Sequence, residues 1–486
     1  MPFSKTPEYS TYSTVSVDLV KVNQSRSTAT NKEPNLINCF PEYVINKLTG
    51  EQKINVVKRP GYTSFISAPS GTNARGAFYW KDQDKLFYAV DDDILVYTAS
   101  TGILITTLNA VFLTSSGDVG FTEFLYDTGI TKIVAVDGSR IVTIDSANTV
   151  VTGVDADQPS SFVPIPIFLN GYLLIVKTAT ADIYNSDNND PLSYTPGNFI
   201  NAEIEPDQLK SIVKLNNYIA VFGSNSIEYF YDAGIGTGSP LQRNDVPVKQ
   251  IGYVCGLATH NNKAYFVGSV RTGTVDVFVL EDLKITSLGH MGTRRYLSSY
   301  AADYAANIFG SIVMCAGHSW YVLSDAVRTD CLDLESNLWT QWALGAGTAF
   351  PIKYSFPYTA PNGTRNLFIT SASLAIFNFD ANAYQDNLVN FTVTIVTDNE
   401  DFGTLNQKNM DRLIVWADYP TATQNLTIQW TDDEALCARM TPNNVDIFNG
   451  QNLSIGSISR ISQPVSSACI DMKIHGAVFL KSNAGI

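Results

Sequence analysis

Apolar and polar residues alternate along this chain in short runs, and small or acidic residues separate the runs. In residues 77–108, four such runs follow one another: AFYWKDQDKLFYAVDDDILVYTASTGILITTL. Residues 121–154 repeat the scheme around the turn Asp137-Gly138, a dipeptide favoured in type I′ hairpins. Because alternation with a period of two indicates strands, each stretch predicts four antiparallel strands.

The central hairpin of this unit recurs along most of the chain. At spacings of 43 to 55 residues, we place it near Asp92, Asp137, Thr180, Asn225, Gly273, Gly317 and Ala372. Four short strands repeated every 40 to 50 residues or so are typical of a β-propeller. The pattern predicts an all-β protein with a propeller of about seven blades, or six if one weak unit is a loop.

Composition changes on either side of the repeats. Residues 1–58 are rich in Ser, Thr, Asn and Lys, which predicts an extended N-terminal arm that becomes ordered against a partner. Residues 59–385 contain the repeats and predict the propeller. In residues 386–486 the period stops but strong alternation continues, which predicts a smaller C-terminal β-sandwich or barrel-like domain.

The ends of the repeat region predict how the ring closes. The seventh unit lacks a fourth strand, and the strand-like residues 61–67 precede the first unit. Pro60-Gly61 is a turn signal at the start of that segment. We expect strand 61–67 to become the outer strand of the last blade, because this pairing would remove two exposed edges.

Composition and charge narrow the classes of protein. Of 486 residues, 45% are hydrophobic and 16% are charged, which indicates a globular chain. Lys and Arg number 32 against 46 Asp and Glu, a formal net charge of −14. So few cations disfavour the wrapping of nucleic acid, whereas a negative wall suits a surface that DNA slides past.

The cysteines and the N-terminal segment indicate whether the chain is expected to be secreted or inserted in a membrane. The six cysteines are Cys39, Cys255, Cys315, Cys331, Cys437 and Cys469. No two of them have C-x-x-C spacing, which argues against a zinc ribbon or a redox-active cysteine pair. Their apolar flanks favour buried free thiols over three disulfides. We expect no signal peptide and no membrane span, since the first residues are polar and no apolar run reaches about 18 residues.

Glu228 is the most conspicuous isolated carboxylate, because it lies inside an aromatic strand, IEYFYD. It could be an acid in an apolar pocket or one polar position of a repeated strand. Without a second carboxylate at a glycosidase spacing, we expect a structural blade residue. Trp339 and Trp342 could form a platform for sugars, but their spacing in a strand favours packing on opposite faces.

Other motifs also favour structural interpretations, and we predict no catalytic residue, cofactor or metal ligand. The four histidines are isolated in sequence: His260, His290, His318 and His475. The loop GIGTGSP lacks the lysine and the helix of a phosphate-binding loop. The run Asp91-Asp92-Asp93 lacks the alternating ligand spacing of a calcium loop and fits a solvated turn.

The stretch VFGSNSIEYFYDAG, residues 221–234, resembles a signature of the tail hub or nozzle proteins of short-tailed phages, which are also called DNA-stabilisation or tail accessory proteins. The matching residues are Phe222, Gly223, Ile227, Glu228, Tyr229 and Phe230. The arm ending at Pro60-Gly61, the segment ending near Trp339 and the segment opening the C-terminal domain are similar to the same family. An Arg-rich strand expected near the end is missing, since only Arg460 and Lys473 occur there.

The resemblance implies a structural protein of the virion tail, made in the host cytoplasm and not an enzyme. It implies a homohexameric ring below the portal and its adaptor protein, which holds DNA in and anchors tailspikes, fibres, or a plug or needle. DNA would pass through the lumen without sequence-specific binding. Two alternatives stay open: a carbohydrate-binding or carbohydrate-active propeller that uses Trp339 or Glu228, and a cytoplasmic protein-binding propeller.

Overall fold

The computed structural model describes residues 12–17, 35–45, 52–236, 238–244, 248–271, 273–300, 302–345, 347–360, 363–396, 409–417, 426–431, 450–455 and 474–482. Within these ranges, strands dominate and two α-helices occur. The chain folds into two compact units.

The first half of the chain contains strands and one 3-10 turn. In chain order these are β1 (Tyr12–Val17), β2 (Asn35–Ile37), β3 (Cys39–Ile45), β4 (Gln52–Lys58), β5 (Gly61–Ile66), β6 (Ala74–Trp80), the 3-10 turn Lys81–Gln83, β7 (Lys85–Val90), β8 (Asp93–Thr98), β9 (Ile103–Leu108), β10 (Gly120–Leu125), β11 (Thr131–Val136), β12 (Ile141–Ile144), β13 (Val150–Thr152), β14 (Ile167–Leu169), β15 (Tyr172–Val176), β16 (Asp182–Asn185), β17 (Phe199–Asn201), β18 (Leu209–Leu215), β19 (Tyr218–Gly223), β20 (Ile227–Asp232) and β21 (Leu241–Arg243).

The second half adds two helices to further strands. These are β22 (Ile251–His260), β23 (Lys263–Val270), β24 (Val275–Glu281), β25 (Lys284–Ser287), α1 (Met291–Ser299), α2 (Tyr304–Asn307), β26 (Phe309–Cys315), β27 (His318–Ser324), β28 (Thr329–Asp333), β29 (Trp339–Gln341), β30 (Ile352–Ala360), β31 (Gly363–Thr370), β32 (Ile376–Asp380), β33 (Thr394–Val396), β34 (Asn409–Ala417), β35 (Leu426–Thr431), β36 (Gly450–Ile455) and β37 (Ile474–Ser482).

The larger unit, Tyr62–Asn337 with Thr348–Asp380, is a seven-bladed β-propeller. Blades one to five are the antiparallel sheets β6–β9, β10–β13, β14–β17, β18–β21 and β22–β25. Blade six contributes β26, β27 and β28 to this unit. Blade seven has the order β30-β31-β32-β5, so the strand expected to close the ring is its fourth strand.

Alternate residues of one strand pack against opposite neighbours. In β7, Leu86 and Tyr88 lie in a cluster with blade seven, which includes Phe356. Phe87 and Ala89 of the same strand lie in a cluster with blade two. A blade strand is therefore buried on both faces, which explains the nearly continuous apolar runs in the sequence. Contact between blades one and seven completes the ring.

The central hairpins follow the predicted landmarks in every blade but the sixth. Gly317 lies between β26 and β27, so it marks the first hairpin of that blade and not the central one. The central turn there lies between β27 and β28 and contains Asp325. Helices α1 and α2, inserted between β25 and β26, lengthen this repeat. The strand pattern does not predict such an insertion.

The smaller unit combines both ends of the chain with Leu338–Gly347. Strands β3 and β4 form an antiparallel hairpin, and β37 pairs with β1, β4 and β34. Strand β2 pairs with β29 and β33. Residues 35–45 and 52–58 therefore contain strands of a unit built from both ends of the chain, whereas an extended arm was expected for 1–58. Although this part of the sequence is mostly polar, its apolar residues Leu36, Cys39 and Val56 form a buried cluster.

The unit boundaries also differ from those expected at residues 59 and 385. Pro60 and the segments 338–347 and 381–385 belong to the smaller unit. Most of the C-terminal β domain predicted for 386–486 lies outside the described residues. Among its described residues, β35 and β36 form an antiparallel pair. No helix in the described ranges is long and apolar enough to cross a membrane.

Candidate functional site

The signature segment forms the central hairpin of blade four. Phe222 and Ile227 are opposite each other in the β19–β20 ladder, and the Gly223 N–H donates to the Ser226 carbonyl at 2.8 Å. The Asp207 carboxylate accepts from the Asn225 N–H at 2.7 Å. An added Cβ on Gly223 would overlap this carboxylate, so a side chain at this position would displace the acceptor of the Asn225 N–H.

The apolar signature residues pack in both directions. Phe222, Ile227 and Tyr229 belong to the cluster between blades four and five, where the Phe222 ring meets Phe266 edge-on at 5.1 Å. Phe230 belongs to the cluster between blades three and four. The signature therefore describes one hairpin that holds two neighbouring blades.

Glu228 lies on the blade-three side of this hairpin and is only 2% exposed. Its Oε1 accepts from the Ile204 N–H at 3.0 Å, and its Oε2 accepts from Arg243 Nε at 2.9 Å. Arg243 Nη2 also donates to the Asn201 carbonyl at 2.8 Å. Because Asn201 belongs to blade three and Arg243 to blade four, the pair joins adjacent blades.

The electrostatics of Glu228 reflect this burial. Burial raises the pKa of its carboxyl above the usual value, while the Ile204 and Arg243 hydrogen bonds act in the opposite direction. Both oxygens are occupied by protein donors. The arrangement fits a fixed ion pair better than an acid that must reach a substrate.

A second arginine–carboxylate pair, which sequence reasoning missed, lies in the smaller unit. Arg59 precedes the Pro60-Gly61 turn and donates through Nη1 and Nη2 to Asp386 at 2.9 and 2.6 Å. Its Nε donates to Asn38 Oδ1 at 2.8 Å, and its guanidinium lies 3.9 Å from the centre of the Phe391 ring.

The Pro60-Gly61 turn is fixed beside this pair. The Gly61 N–H donates to the Ala383 carbonyl at 2.6 Å. An added Cβ at Gly61 would overlap the backbone carbonyl of Gln385, which explains the glycine. Arg59 and Asp386 are 327 positions apart, so only the adjacent turn signal could have pointed to the site.

The two tryptophans of the predicted platform lie in and just after β29. Trp342 is 1% exposed, with the Arg59 guanidinium 5.9 Å from the centre of its ring. Trp339 is half-buried in β29. A buried Trp342 leaves no paired aromatic surface for a sugar in this segment.

The other singled-out groups have structural contacts where they are described. His290 caps helix α1 by accepting from the Thr293 N–H, and His318 Nδ1 lies 3.1 Å from Asp333. His260 lies 3.0 Å from the Asn261 amide. Asp91 accepts from the backbone of Thr72 and Asn73, as expected for a turn. The side chain of His475 and part of the GIGTGSP loop lie outside the described residues.

Cys39 and Cys255 are buried free thiols, and Cys437 and Cys469 lie outside the described residues. Burial raises the pKa of Cys255 to about 12 and that of Cys39 further. Such thiols are unreactive at neutral pH. Within the described residues, no group of three or more His, Cys, Asp or Glu could hold a metal ion.

Several solved structures resemble the chain at low identity. A streptogramin B lyase is 12% identical with a TM-score of 0.44, covering 66% of this chain and 97% of that one. A catalytically inactive virginiamycin B lyase from Staphylococcus aureus with quinupristin is 13% identical, with a TM-score of 0.44 and coverages of 65% and 98%. The RRP9 WD40 repeats are 10% identical, with a TM-score of 0.43 and coverages of 66% and 98%. At these values the likenesses carry no functional argument.

The curated proteins provide no match. A family model does match: residues 29–349 fit the phage-stabilisation family described as "Bacteriophage P22 Gp10, beta-propeller". The matched range exceeds half of the 486 residues and includes the signature hairpin, the Pro60-Gly61 turn and Trp339. With its seven-bladed propeller and this match, the chain belongs to the phage-stabilisation family of phage structural proteins.

Proposed function

We propose that this protein is the tail hub, or nozzle, subunit of a short-tailed phage and has no enzymatic activity. Copies form a homohexameric ring in the virion tail, below the portal and its adaptor protein. The ring extends the DNA channel, retains DNA until ejection and anchors tailspikes or fibres, or a plug or needle. The observation that carries the proposal is the family match over residues 29–349.

The use of buried charges supports a scaffold. Glu228 is bound by blade-three and blade-four donors. Asp137 accepts from the Ser139 and Arg140 N–H groups at 2.9 and 2.7 Å. Carboxylates with fixed donors stabilise a fold, whereas a general acid or base must exchange its proton with a substrate.

The net charge supports a conduit for DNA. At −14, the chain has too few cations to neutralise many phosphates. A negative wall repels the duplex and lowers the friction of its passage. Sequence-specific binding of DNA is not part of the proposed role.

The copy number in the virion tests the proposal. Quantitative peptide mass spectrometry of gradient-purified particles should give about one copy of this protein for every two portal subunits, as expected for a six-fold ring below a twelve-fold portal. Absence from purified particles would overturn the virion role. A ratio near one to one would overturn the hexamer.

Retention of DNA needs a separate test. Particles assembled without this protein should contain the portal but lose packaged DNA, measured as nuclease-protected DNA per particle. Particles assembled in cells that again produce this protein should contain the normal amount of nuclease-protected DNA. Full DNA content in the depleted particles would show that another protein closes the channel.

A further inference from the structure

The outer strand of blade one, β9, presents an apolar surface. Three consecutive side chains at its start are exposed, Ile103 by 65% and Leu104 and Ile105 by 46% each. The register with β8 shifts at Ile105, which has no partner in that strand. This is a β-bulge, and a bulge disturbs the alternation of side chains between the two faces. We call Ile103, Leu104 and Ile105 the β9 patch.

Strand β9 is also a free edge, since it is the last strand of its sheet and pairs with β8 alone among the described residues. Edges are usually protected by short strands and by polar or charged residues. The outer strands of blades two to five have only three or four residues, and two of them contain Arg243 or Lys284. In β5 the exposed positions are Thr63 and Ser64. By contrast, β9 has six residues, and none of them is charged.

The neighbouring blades hold β9 in place at both ends. A Cβ added to Gly102, just before the strand, would lie 3.7 Å from the Phe65 ring of β5. At the other end, Leu108 packs against the cluster shared with blade two. The β9 patch is therefore a preformed surface on the outer rim of the propeller, and little ordering is needed before a partner binds to it.

Charge distinguishes the kind of partner. Residues 94–117 include β9 and contain no Asp, Glu, Lys, Arg or His, although 16% of the chain is charged. The whole chain has a formal charge of −14, so a cationic partner would be drawn to its acidic surfaces and not to an uncharged one. A partner that is itself acidic meets general repulsion, which is weakest where no charge lies at the contact. Another copy of this chain is such a partner.

We propose that the β9 patch contacts a second copy of this chain. Side chains make the contact, because the bulge disrupts the ladder that an added strand would have to continue. The centre of an interface is typically apolar and poor in charge, as this patch is. Specific interfaces bury about 800 Å² on each partner, so the patch forms the centre of a larger contact.

The inference rests on the ring of the proposed function, in which every copy must contact two others. A closed ring with more than two members joins two different surfaces of the same chain. The β9 patch is one of these surfaces, and it occurs once on each copy.

The test is sedimentation velocity of the purified full-length protein over a series of concentrations. The wild-type protein should self-associate, and Ile103→Lys should weaken this association by about tenfold or more, because a charge would be buried at the contact. The added lysine changes the net charge from −14 to −13, which lowers the general repulsion between copies. A weaker association therefore reports a local effect at β9.

Val327→Lys is the matched control. Val327 is 73% exposed in the turn between β27 and β28, away from the outer strands, and the variant adds the same charge. This control should associate like the wild-type protein. Ile105→Lys is the second variant at β9 and replaces Ile103→Lys if that change lowers the melting temperature.

Three results in solution would overturn the proposal. They are a wild-type protein that stays monomeric at every concentration, well-folded Ile103→Lys and Ile105→Lys variants that associate like wild type, and equal weakening by Val327→Lys. Absence of the protein from purified particles would overturn the virion role, but not an association that the β9 variants weaken in solution.

A photo-crosslinking residue in place of Leu104 identifies what covers the patch in purified particles. A product with twice the mass of the chain, containing peptides of this chain alone, supports the proposal. A product that contains another virion protein, or no product at all, would overturn it.

Discussion

Two of the buried carboxylates that pair with arginines lie in different units of this molecule. Asp386 and Glu228 are both 2% exposed, but the Arg59 side chain is fully buried whereas that of Arg243 is 35% exposed. Arg59 forms a two-bond contact with its partner, and Arg243 uses a single nitrogen. The partners are 327 positions apart in one pair and 15 in the other.

This difference shows what a short motif can encode. Glu228 and Arg243 belong to adjacent strands of one blade, so a local sequence pattern places them together. Arg59 and Asp386 meet only after both chain ends have assembled. A fully buried pair is also more sensitive to loss of one partner than a pair with a hydrated arginine.

Removing residues 1–68 should have the largest effect on the comparison. The deletion eliminates Arg59 and the closing strand β5, but leaves Glu228 and Arg243 in place. Because blade seven would lose its fourth strand, the melting temperature should fall by more than about 10 °C. Scanning calorimetry measures this, with deletion of 1–34 as the control that retains β2 to β5. An unchanged melting temperature for the longer deletion would contradict the role of β5.

Arg59→Ala should have the next largest effect. It leaves the Asp386 carboxylate buried without its bidentate donor, which costs about 3 to 5 kcal/mol of unfolding free energy. Urea denaturation of the purified protein provides the measurement. The double variant Arg59→Met with Asp386→Leu should be less destabilised, since no buried charge remains. Equal loss in the single and double variants would show that packing, and not charge, dominates at this site.

Glu228→Ala should have a smaller effect, about 1 to 3 kcal/mol. The exposed part of Arg243 can bind water, but the Ile204 N–H loses its acceptor. Chemical denaturation compares this variant with Glu228→Gln, which keeps an oxygen for Ile204 and should be milder. A loss larger than that of Arg59→Ala would reverse the ranking of the two pairs. A lost enzymatic rate with an intact fold would overturn the non-catalytic proposal.

The smallest expected effect on stability is its dependence on pH, which should differ in sign between Asp137 and Asp386. Burial raises the pKa of Asp137, but hydrogen bonds from Ser139, Thr114 and Arg140 outweigh it and hold the pKa below its usual value. As the pH falls, the unfolded state therefore binds a proton at this carboxyl before the folded state does. Asp137 stabilises the fold at pH values above its usual pKa, and this contribution is lost as the pH falls to the lower pKa of the folded state.

Asp137→Asn should cost about 1 kcal/mol at neutral pH, and the difference from wild type should shrink on acidification. Denaturation at about pH 7 and about pH 3.5 checks this. For Asp386, burial raises the pKa, and the bonds from Arg59 act against this. With its folded pKa raised, its contribution is full below the unfolded value and falls as the pH rises through the folded pKa. Asp386 therefore has the opposite pH dependence, and the same slope at both sites would contradict the assignment.

The predictability of the fold follows the range of its contacts. Blade strands are buried on both faces, so they appear in the sequence as short apolar runs separated by polar turns. The hairpins near Asp92 and Asn225 could therefore be located from sequence. Helices α1 and α2 interrupt that regularity, and the landmark at Gly317 consequently fell on the wrong hairpin of blade six. Contacts with partners hundreds of positions away, such as that of Arg59, leave no periodic trace.

The candidate sites show the same limit. Glu228 was singled out because a lone carboxylate in an aromatic strand is visible locally, and its structural interpretation needed only the blade pattern. The Arg59–Asp386 pair was missed, because its two residues are 327 positions apart and neither lies in a periodic strand pattern.

The closing strand β5 also has a consequence in time. A ribosome releases residues 61–66 long before β32, the neighbour of β5 in blade seven, exists, so this strand must wait while residues 67–380 are synthesised. At about 5 to 20 residues per second, the wait lasts roughly a quarter of a minute to a minute. During that interval the strand has no native neighbour to pair with. The nascent chain is therefore most vulnerable to mispairing at its beginning, and the last blade decides when that risk ends.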